Sequence, residues 1–336
     1  MGALSNQLLV VTILVYLAAM LCHAVQYAFG ASGVVARAAA RLPDRAERHE
    51  LVLVGSSGAA AVDAPDPPEL PRLPELPEPS RPVRAAPAVF GWVAVGLTGL
   101  GFVGHAATLV TRGLAAHRVP WGNMYEFVLA ACLIGALAWL VTIAVRPALR
   151  HLGLFVTLLL IVMLGVAGMN LYTGAGPLVP ALNSYWLKIH VSAAATASGI
   201  LLFGFAAAAL TVIRSGWDEG RRGFPFDLGW RLPSAATLER LTFRVHALAF
   251  PIWTFAIICG GIWAEAAWGR YWGWDPKETW SFISWVVYAG YLHARATPSV
   301  KRSTATWLAI VGWATMMINL FGVNLVISGL HSYAGV

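Results

Sequence analysis

The chain alternates between long apolar runs and short polar segments along most of its length. Seven runs approach the roughly 20 apolar residues that one membrane-spanning helix needs. They cover residues 8–29, 89–110, 124–145, 152–171, 189–213, 243–265 and 304–328, and a shorter run covers residues 279–294. This pattern predicts an all-α, polytopic membrane protein with about eight transmembrane helices. Composition agrees, because 12% of the residues are charged against about 25% in soluble domains.

The interval between the first two runs differs in composition from the rest of the chain. Residues 65–87 contain nine of the nineteen prolines, mixed with acidic residues and arginine. Such a segment buries too little apolar surface to order itself. We therefore predict an N-terminal transmembrane helix in residues 1–30, a Pro-rich cytoplasmic linker in residues 31–87 and a seven-helix domain in residues 88–336. The first run has no cleavage site of a signal peptide, so it is predicted to be a retained anchor.

Positive residues are distributed unevenly among the polar segments. Segments 30–88, 146–151, 214–244 and 295–302 hold 18 of the 23 Lys and Arg residues. Because Lys and Arg gather in cytoplasmic loops, these segments are predicted to be cytoplasmic, and both termini to lie outside. The formal net charge of +7 is then a topology signal, and no nucleic-acid partner is expected.

Several common chemistries have no sequence pattern here. There is no GxxxxGK or GxGxxG phosphate-binding motif, no HExxH zinc motif and no recognisable Ser/His/Asp order. The three cysteines, Cys22, Cys132 and Cys259, are single residues within apolar runs. We interpret them as packing residues, since a buried free cysteine behaves as a small hydrophobe.

The segment WGRYWGWDPKETW, residues 268–280, concentrates aromatic and charged side chains in an otherwise apolar chain. Asp275, Pro276 and Glu278 have the residue types of a helix start, at the N-cap and at the first and third helical positions. We call residues 268–275 the tryptophan loop, and we expect it on the outer side of the membrane.

The tryptophans of this segment allow two interpretations. They are either an interfacial aromatic belt or a platform for a large planar ligand. Their density in a glycine-containing loop favours the platform. The candidate platform residues are Trp268, Trp272, Trp274 and Trp280, with Asp275 beside them.

Two histidines are predicted at the level of the tryptophan loop. His190 lies near the outer start of the fifth predicted helix, and His331 follows the outer end of the last one. Either histidine alone is more typical of an interfacial polar residue than of a ligand. Together with the aromatic surface they favour haem, because imidazole binds iron and the flat macrocycle suits stacking. We therefore predict His190 and His331 as ligands of haem iron.

A third histidine is predicted near the inner side of the membrane. His293 follows Asp275 by eighteen residues, which is about 27 Å along a helix. An ionisable group at this depth often marks a pathway, although His293 also fits an interfacial anchor beside Arg295. His246 is expected at similar depth and is an alternative partner. One haem cannot reach both Asp275 and His293, so binding at both ends requires two haem positions.

Three motifs resemble those of one known family. The CcsA/ResC proteins of system II cytochrome c biogenesis, labelled CcsB in actinobacteria, have a WWD signature that is similar to WGRYWGWDPKETW and the later YLHAR. Their upstream Pro, Asn and Tyr-Glu positions are similar to PWGNMYEF. The resemblance covers about residues 88–336. It implies a haem-handling subunit of the plasma membrane that presents haem b outside, for attachment to the CxxCH motif of an apocytochrome c. It also implies a ResB/Ccs1-type membrane partner and a thiol-reducing protein in the pathway.

The resemblance further implies roles for individual residues. His190 and His331 match the two outer axial ligands, and His293 matches the ligand of a site within the membrane. The implied chemistry is thioether formation between cysteine thiols and haem vinyl groups, in a haem lyase-type synthase complex. No residue looks like a conventional acid or base for this addition. Alternatives are a haem transporter or chaperone without attachment activity, a cytochrome b-like electron carrier, and the related WWD proteins of system I.

Overall fold

The computed structural model describes residues 1–29, 86–177, 184–327 and 329–331. These residues form helices and connecting segments with no β-strand among them, which confirms the all-α class. The helices are α1 (Gly2–Phe29), α2 (Ala86–Ala116), α3 (Met124–Val145), α4 (Gly153–Asn170), α5 (Tyr185–Asp218), α6 (Ala235–Trp268), α7 (Pro276–Ala296) and α8 (Arg302–Met317). Short 3₁₀ helices, Pro147–Leu152 and Phe226–Arg231, precede α4 and α6. A π-helical turn, Ile318–Gly322, and a short helix, Val323–Leu325, continue α8.

Seven helices of the described chain are long and apolar enough to cross a membrane. This confirms a polytopic membrane protein. The remaining helix, α7, has 21 residues, which gives about 31 Å and is long enough to span. Its polar residues, among them Lys277, Glu278 and His293, lower its hydropathy. The eighth span and the outward position of both termini remain predictions.

Two central helices are longer than the apolar runs that predicted them. Helices α5 and α6 have 34 residues each, whereas the runs cover residues 189–213 and 243–265. Apolar runs mark only the part of a helix that lies in hydrocarbon, and polar residues continue the helix beyond it. Helix α5 begins after Ser184, whose Oγ accepts a hydrogen bond from the Trp186 amide at 3.2 Å. The side chain is therefore an N-cap that sets the start of the helix.

The N-terminal helix packs against the rest of the bundle, mainly against α2 and α4. It therefore belongs to the same bundle as the predicted seven-helix domain. Glycines of α2 receive its side chains: a Cβ at Gly101 would lie 2.7 Å from the Tyr16 ring, and one at Gly104 would lie 2.9 Å from Thr12 Oγ1. Most of the predicted linker, up to residue 85, lies outside the described residues, and the domain boundaries remain a prediction. The buried residues of α1 are Ser5, Leu9, Thr12, Tyr16, Ala19, His23, Gln26 and Tyr27.

Hydrogen bonds assign several connecting segments to two opposite ends of the bundle. At one end, Asn6 Nδ2 donates to Tyr172 Oη at 2.7 Å, and Arg118 Nε donates to Gly176 O at 2.9 Å. At the other end, Tyr27 Oη donates to Leu228 O at 2.6 Å. The tryptophan loop belongs to the first end, which we call the loop end. The described Lys- and Arg-rich segments belong to the opposite end, so the two ends differ in charge as the sequence predicts.

Helix α5 occupies the centre of the bundle and packs against α3, α6 and α8. Small residues allow its close approach to α3: a Cβ at Gly199 would lie 2.3 Å from Ala131 O. This packing brings residues of α3, α5, α6 and α8 together near the loop end, where the candidate site lies.

Candidate functional site

The tryptophan loop ends in a helix cap, as the sequence predicts. Glu278 Oε2 accepts hydrogen bonds from the backbone amides of Gly273 at 2.8 Å and Asp275 at 3.0 Å. Asp275 Oδ2 accepts one from the Lys277 amide at 3.2 Å. These bonds confirm Asp275 as the N-cap of α7 and hold the loop in one backbone conformation.

Asp275 also joins the loop to the C-terminal segment. Its Oδ1 accepts the Leu330 amide at 2.7 Å, and its Oδ2 accepts His331 Nδ1 at 2.8 Å. Burial by itself raises the pKa of the Asp275 carboxyl, but the hydrogen bonds from Leu330 and His331 outweigh it and hold that pKa below its usual value. The carboxyl is therefore ionised at neutral pH, and one side chain both caps α7 and holds His331.

The bond to Asp275 fixes the state of the His331 ring. Burial lowers the pKa of His331, and the hydrogen bond to Asp275 only partly offsets this effect. The imidazole is then neutral at pH 7, with its proton on Nδ1 and its lone pair on Nε2. A histidine held through Nδ1 by a carboxylate is the usual arrangement of a metal ligand, because the carboxylate orients the ring and raises its basicity.

His190 is held in the same way by a different acceptor. Its Nδ1 donates to Ala256 O of α6 at 2.8 Å. The lone pair therefore lies on Nε2 here as well. Both predicted ligands thus present the same ring nitrogen, although they come from α5 and from the C-terminal segment.

A buried tryptophan that the sequence analysis did not single out joins the two histidines. The Trp263 ring is nearly parallel to His190, with centroids 6.2 Å apart and an interplanar angle of 9°. It lies 5.8 Å from His331 and 4.8 Å from Trp268. The ring centroids of the two imidazoles lie 6.2 Å and 5.8 Å from that of Trp263. The distance between the two imidazole centroids therefore cannot exceed the sum of these two distances. Trp263 occurs in an apolar helical run, where no sequence pattern distinguishes it from an ordinary core residue.

Both histidines line two adjoining cavities at the loop end. The larger cavity has a volume of about 150 Å³ and the smaller one about 50 Å³. One buried water needs only about 10–15 Å³ by this measure, so the space suits a ligand. The walls of the larger cavity are mostly apolar, with residues from α3, α5, α6 and α8. Both cavities share His190, Trp253, Trp263, Lys277, Ser281 and His331.

The four predicted platform tryptophans differ in position. Trp268 and Trp272 line the smaller cavity. Trp274 is 65% exposed and meets Trp272 edge to face at 5.7 Å. Trp280 is half-buried in the first turns of α7 and lines neither cavity. The structure therefore brings Trp268 and Trp272 to the histidines and leaves Trp274 and Trp280 outside the cavities.

Trp274 has a backbone conformation that is rare for its residue type. Its φ is 58°, in the left-handed region that bulky side chains seldom adopt. Strained residues of this kind cluster at functional sites. Here the conformation directs the chain into the Asp275 cap while the indole ring stays exposed on the loop.

The histidines of the opposite half are not brought together. His246 is 1% exposed, and its ring lies 4.8 Å from Tyr291 of α7. His293 follows Tyr291 by two residues, which is about 200° around a helix, and its side chain is exposed. The structure therefore gives no support to the alternative in which His246 and His293 pair.

The PWGNMYEF segment forms one wall of the larger cavity through a buried ion cluster. Glu126 Oε1 accepts Arg112 Nε at 2.7 Å, and Glu126 Oε2 accepts Arg118 Nη1 at 2.7 Å and the Gly122 amide at 2.8 Å. Arg112 Nη2 also donates to Thr173 O. The cluster fixes the backbone at Gly122, which lines the cavity.

Comparison with known proteins places this site in one family. A family model described as "Cytochrome C assembly protein" matches residues 121–331. The chain belongs to this cytochrome c assembly family. The matched range contains both cavity histidines, the tryptophan loop and PWGNMYEF from Trp121 onward, whereas α1 and α2 lie outside it.

Curated relatives assign the chain to the CcsA family within this group. "Cytochrome c biogenesis protein CcsA" of Synechococcus elongatus is 33% identical over 298 residues, covering 74% of this chain and 90% of the relative. The protein of the same name from Guillardia theta is 33% identical over 258 residues, covering 72% and 85%. That from Gloeobacter violaceus is 31% identical over 295 residues, covering 72% and 86%.

These comparisons confirm the resemblance seen in the sequence motifs. The chain is a multi-pass membrane protein of the CcsA family of system II and has a role in cytochrome c biogenesis. Membership of a cytochrome c assembly family implies haem handling, with apocytochrome c and partner proteins.

Proposed function

We propose that this CcsA-family chain binds haem b between His190 and His331 and presents it for covalent attachment to the CxxCH motif of apocytochrome c. One observation supports this proposal most strongly. Two imidazoles from distant parts of the chain are each held through Nδ1, each contact Trp263 and line the same cavities. Such a pair suits the axial positions of haem iron.

The other walls of the cavity also suit haem. Aromatic and aliphatic side chains dominate the surface, and a macrocycle with two broad apolar faces would bury against them. Asp275 acts behind His331 as the carboxylate that orients a ligand. Trp268 and Trp272 offer edges and faces to the ring. We assign Trp280 to support of the loop, since it lines neither cavity.

The attachment chemistry needs positioning more than acid or base groups. A cysteine thiol adds across a haem vinyl group: a carbon–sulfur bond forms, the vinyl double bond is consumed, and the thiol hydrogen ends on carbon. No external oxidant or reductant enters this balance. The protein contributes orientation, which by itself accelerates a reaction strongly, while haem supplies the reactive groups.

The exposed ring of Trp274 is well placed for the second substrate. It is 65% exposed on the tryptophan loop, next to Trp272 at the cavity. We assign it to contact with the apocytochrome peptide. A thiol-reducing protein would keep the CxxCH cysteines reduced before they reach this surface.

We place the site on the outer face of the plasma membrane and assign synthase activity to a complex with a ResB/Ccs1-type partner. In this complex His293 supplies one ligand of an inner haem site, and a histidine of the partner supplies the other. The exposed side chain of His293 supports a ligand that faces a second protein. Haem would then pass from the inner position to the outer one.

Co-expression tests the proposed function directly. The chain is produced with a ResB-type partner and a reporter apocytochrome c, and covalent haem is scored on a denaturing gel. His190→Gly and His331→Gly should reduce the yield, and added imidazole should restore part of it by filling the gap. His117→Gly is the matched control, because His117 is exposed and lines neither cavity.

The outcomes separate attachment from haem carriage. Full cytochrome yield in both cavity variants would remove these histidines from the ligand set. Haem bound to the purified complex without any covalent product would favour a transporter or chaperone. For the inner site, His293→Ala should deplete haem at the outer site, and haem supplied from outside should rescue it. Undiminished haem content and normal cytochrome c yield in His293→Ala would contradict the transfer of haem from the inner site to the outer site.

A further inference from the structure

Lys277 lies in the first turn of α7 and lines both cavities. It is half-buried. Among the described lining residues it is the only Lys or Arg, in a site whose walls are mainly aromatic and aliphatic. Lys277 lies within the WGRYWGWDPKETW segment, where no sequence pattern indicates a role for it at a ligand.

The Asp275 carboxylate acts on the charge of the Lys277 ammonium group without forming a direct ion pair with it. Its one described hydrogen bond runs from Nζ to Asn319 O at 3.4 Å, which is long. None of the ion pairs found in the described ranges includes Lys277. A cation withdrawn from water without an anion in direct contact is costly, so this position is suited to an anionic group of a ligand.

Polar groups around Lys277 form a small cluster at the cavity wall. Asn319 belongs to the π-helical turn Ile318–Gly322, and its Nδ2 donates to Ser281 Oγ at 3.0 Å. Ser281 Oγ in turn donates to Lys277 O at 2.7 Å. All three residues line the larger cavity. Turns of this kind are common at functional sites, and here the turn directs a carbonyl group toward the lysine.

A second donor at the cavities has no acceptor. Trp253 is 5% exposed and lines both cavities, and its Nε1 has no hydrogen-bond partner in the described chain. An indole N–H can only donate. Lys277 and Trp253 are therefore two donors beside the same space, which suits a carboxylate.

We propose that Lys277 is the subsite for a carboxylate of the bound porphyrin, that is, a haem propionate. The inference rests on the proposed haem function and adds the direction in which haem lies. Haem carries its two propionates along one edge and its vinyl groups away from that edge. Lys277 is the one Lys or Arg among the described lining residues, and the Glu278 carboxylate beside it is already bonded to the Gly273 and Asp275 amides. Lys277 therefore turns the vinyl groups away from itself and toward the approaching peptide.

Haem and haem dimethyl ester provide the test, because they share iron, macrocycle and vinyl groups and differ only in the blocked propionates. Each is titrated into the purified complex of the full chain with its partner, and binding is followed by absorbance. Wild type should bind haem at least about tenfold more tightly than the ester, the factor expected for one hydrogen bond to a charged group. Lys277→Met should lose this preference while its affinity for the ester stays unchanged, and Lys277→Arg should retain it.

Lys188→Met is the matched control, because Lys188 is exposed on α5 at the same end and lines neither cavity. It should keep the wild-type preference. Equal affinity of wild type for haem and its ester overturns the proposal without any variant, as does a preference that survives in Lys277→Met. If either result is found but the absorbance spectrum of bound haem still changes in His190→Gly, the propionate subsite is refuted and the proposed haem function is retained. Absence of binding for both compounds in wild type overturns the two together.

Discussion

Replacement of Asp275 by Asn separates the two roles of this side chain. Asp275 caps α7 and also binds the Leu330 amide and His331. Asn is as good an N-cap as Asp and has nearly the same shape. Asp275→Asn therefore keeps the cap and removes the negative charge, whereas Asp275→Ala removes both.

The size of the effect follows from the two lost charge-assisted bonds. A hydrogen bond to a charged group contributes about 1.5–3 kcal/mol and a neutral one about 0.5–1.5 kcal/mol. Asn has a single acceptor oxygen, so with that oxygen at the Oδ2 position the bond from His331 is weakened and the bond from the Leu330 amide is lost. Docking of the C-terminal segment should therefore lose about 3 kcal/mol. Loss of the carboxylate behind a metal-binding histidine typically lowers affinity about 10- to 100-fold, and we expect that decrease for haem at the outer site.

Haem titration of the purified complex, together with thermal unfolding, measures both quantities. Asp218→Asn is the control, since the Asp218 side chain is 43% exposed and pairs with Arg214 on the helix surface; such pairs contribute about 0–1 kcal/mol. Unchanged haem affinity and spectrum in Asp275→Asn would refute the role of Asp275 behind His331. A defect confined to Asp275→Ala would show that capping is its whole function.

The same contact predicts a dependence on pH. The pKa of Asp275 is lowered in the folded protein, so its stabilising contribution is present above the ordinary carboxyl value and is lost as the pH falls through the folded-state pKa. The pKa of His331 is also lowered from 6.5, so the unfolded state takes up its proton first and stability falls as the pH drops below that value. Docking of the C-terminal segment, followed by hydrogen exchange at Leu330, should therefore weaken below about pH 6.5. A docking strength that does not change between pH 7 and pH 5 would contradict this assignment.

Three further predictions concern the bundle. A reporter fused after residue 225 should report the cytoplasm, because the Lys- and Arg-rich segments share that end, and an outward report would reverse the orientation. Gly101→Leu should lower the unfolding temperature, because the new side chain would meet Tyr16 and overpacking costs about 1–3 kcal/mol. Gly99→Leu is the control and should resemble wild type, since Gly99 has open space around it. Equal effects of the two variants would argue against close docking of α1. Glu126→Gln should destabilise the protein by about 3–5 kcal/mol, because it leaves the buried Arg112 and the half-buried Arg118 without their carboxylate. An unchanged unfolding temperature would contradict that role.

Local features of the site could be predicted from the sequence. Asp275, Pro276 and Glu278 form a helix cap through bonds that span only a few residues, so their order along the chain is sufficient. The helices follow from apolar runs for a similar reason, since each run must cross the same thickness of hydrocarbon. Their ends could not be predicted from apolarity, as the extra residues of α5 and α6 show.

Contacts between distant residues could not be predicted in the same way. The bond from His331 to Asp275 spans 56 positions, and the contact from Lys277 to Asn319 spans 42. Such pairs depend on how the helices rotate and pack, which hydropathy does not encode. Trp263 is the clearest case, because nothing in its own segment indicates that it joins His190 to His331.

The optical spectrum of the purified complex shows whether haem iron is bound between His190 and His331. Wild type should show haem with two nitrogen ligands. His190→Gly and His331→Gly should each lose this spectrum, and imidazole should restore it in both. His117→Gly should match wild type. A bis-histidine spectrum that persists in both cavity variants without imidazole would contradict the assignment of haem to this site.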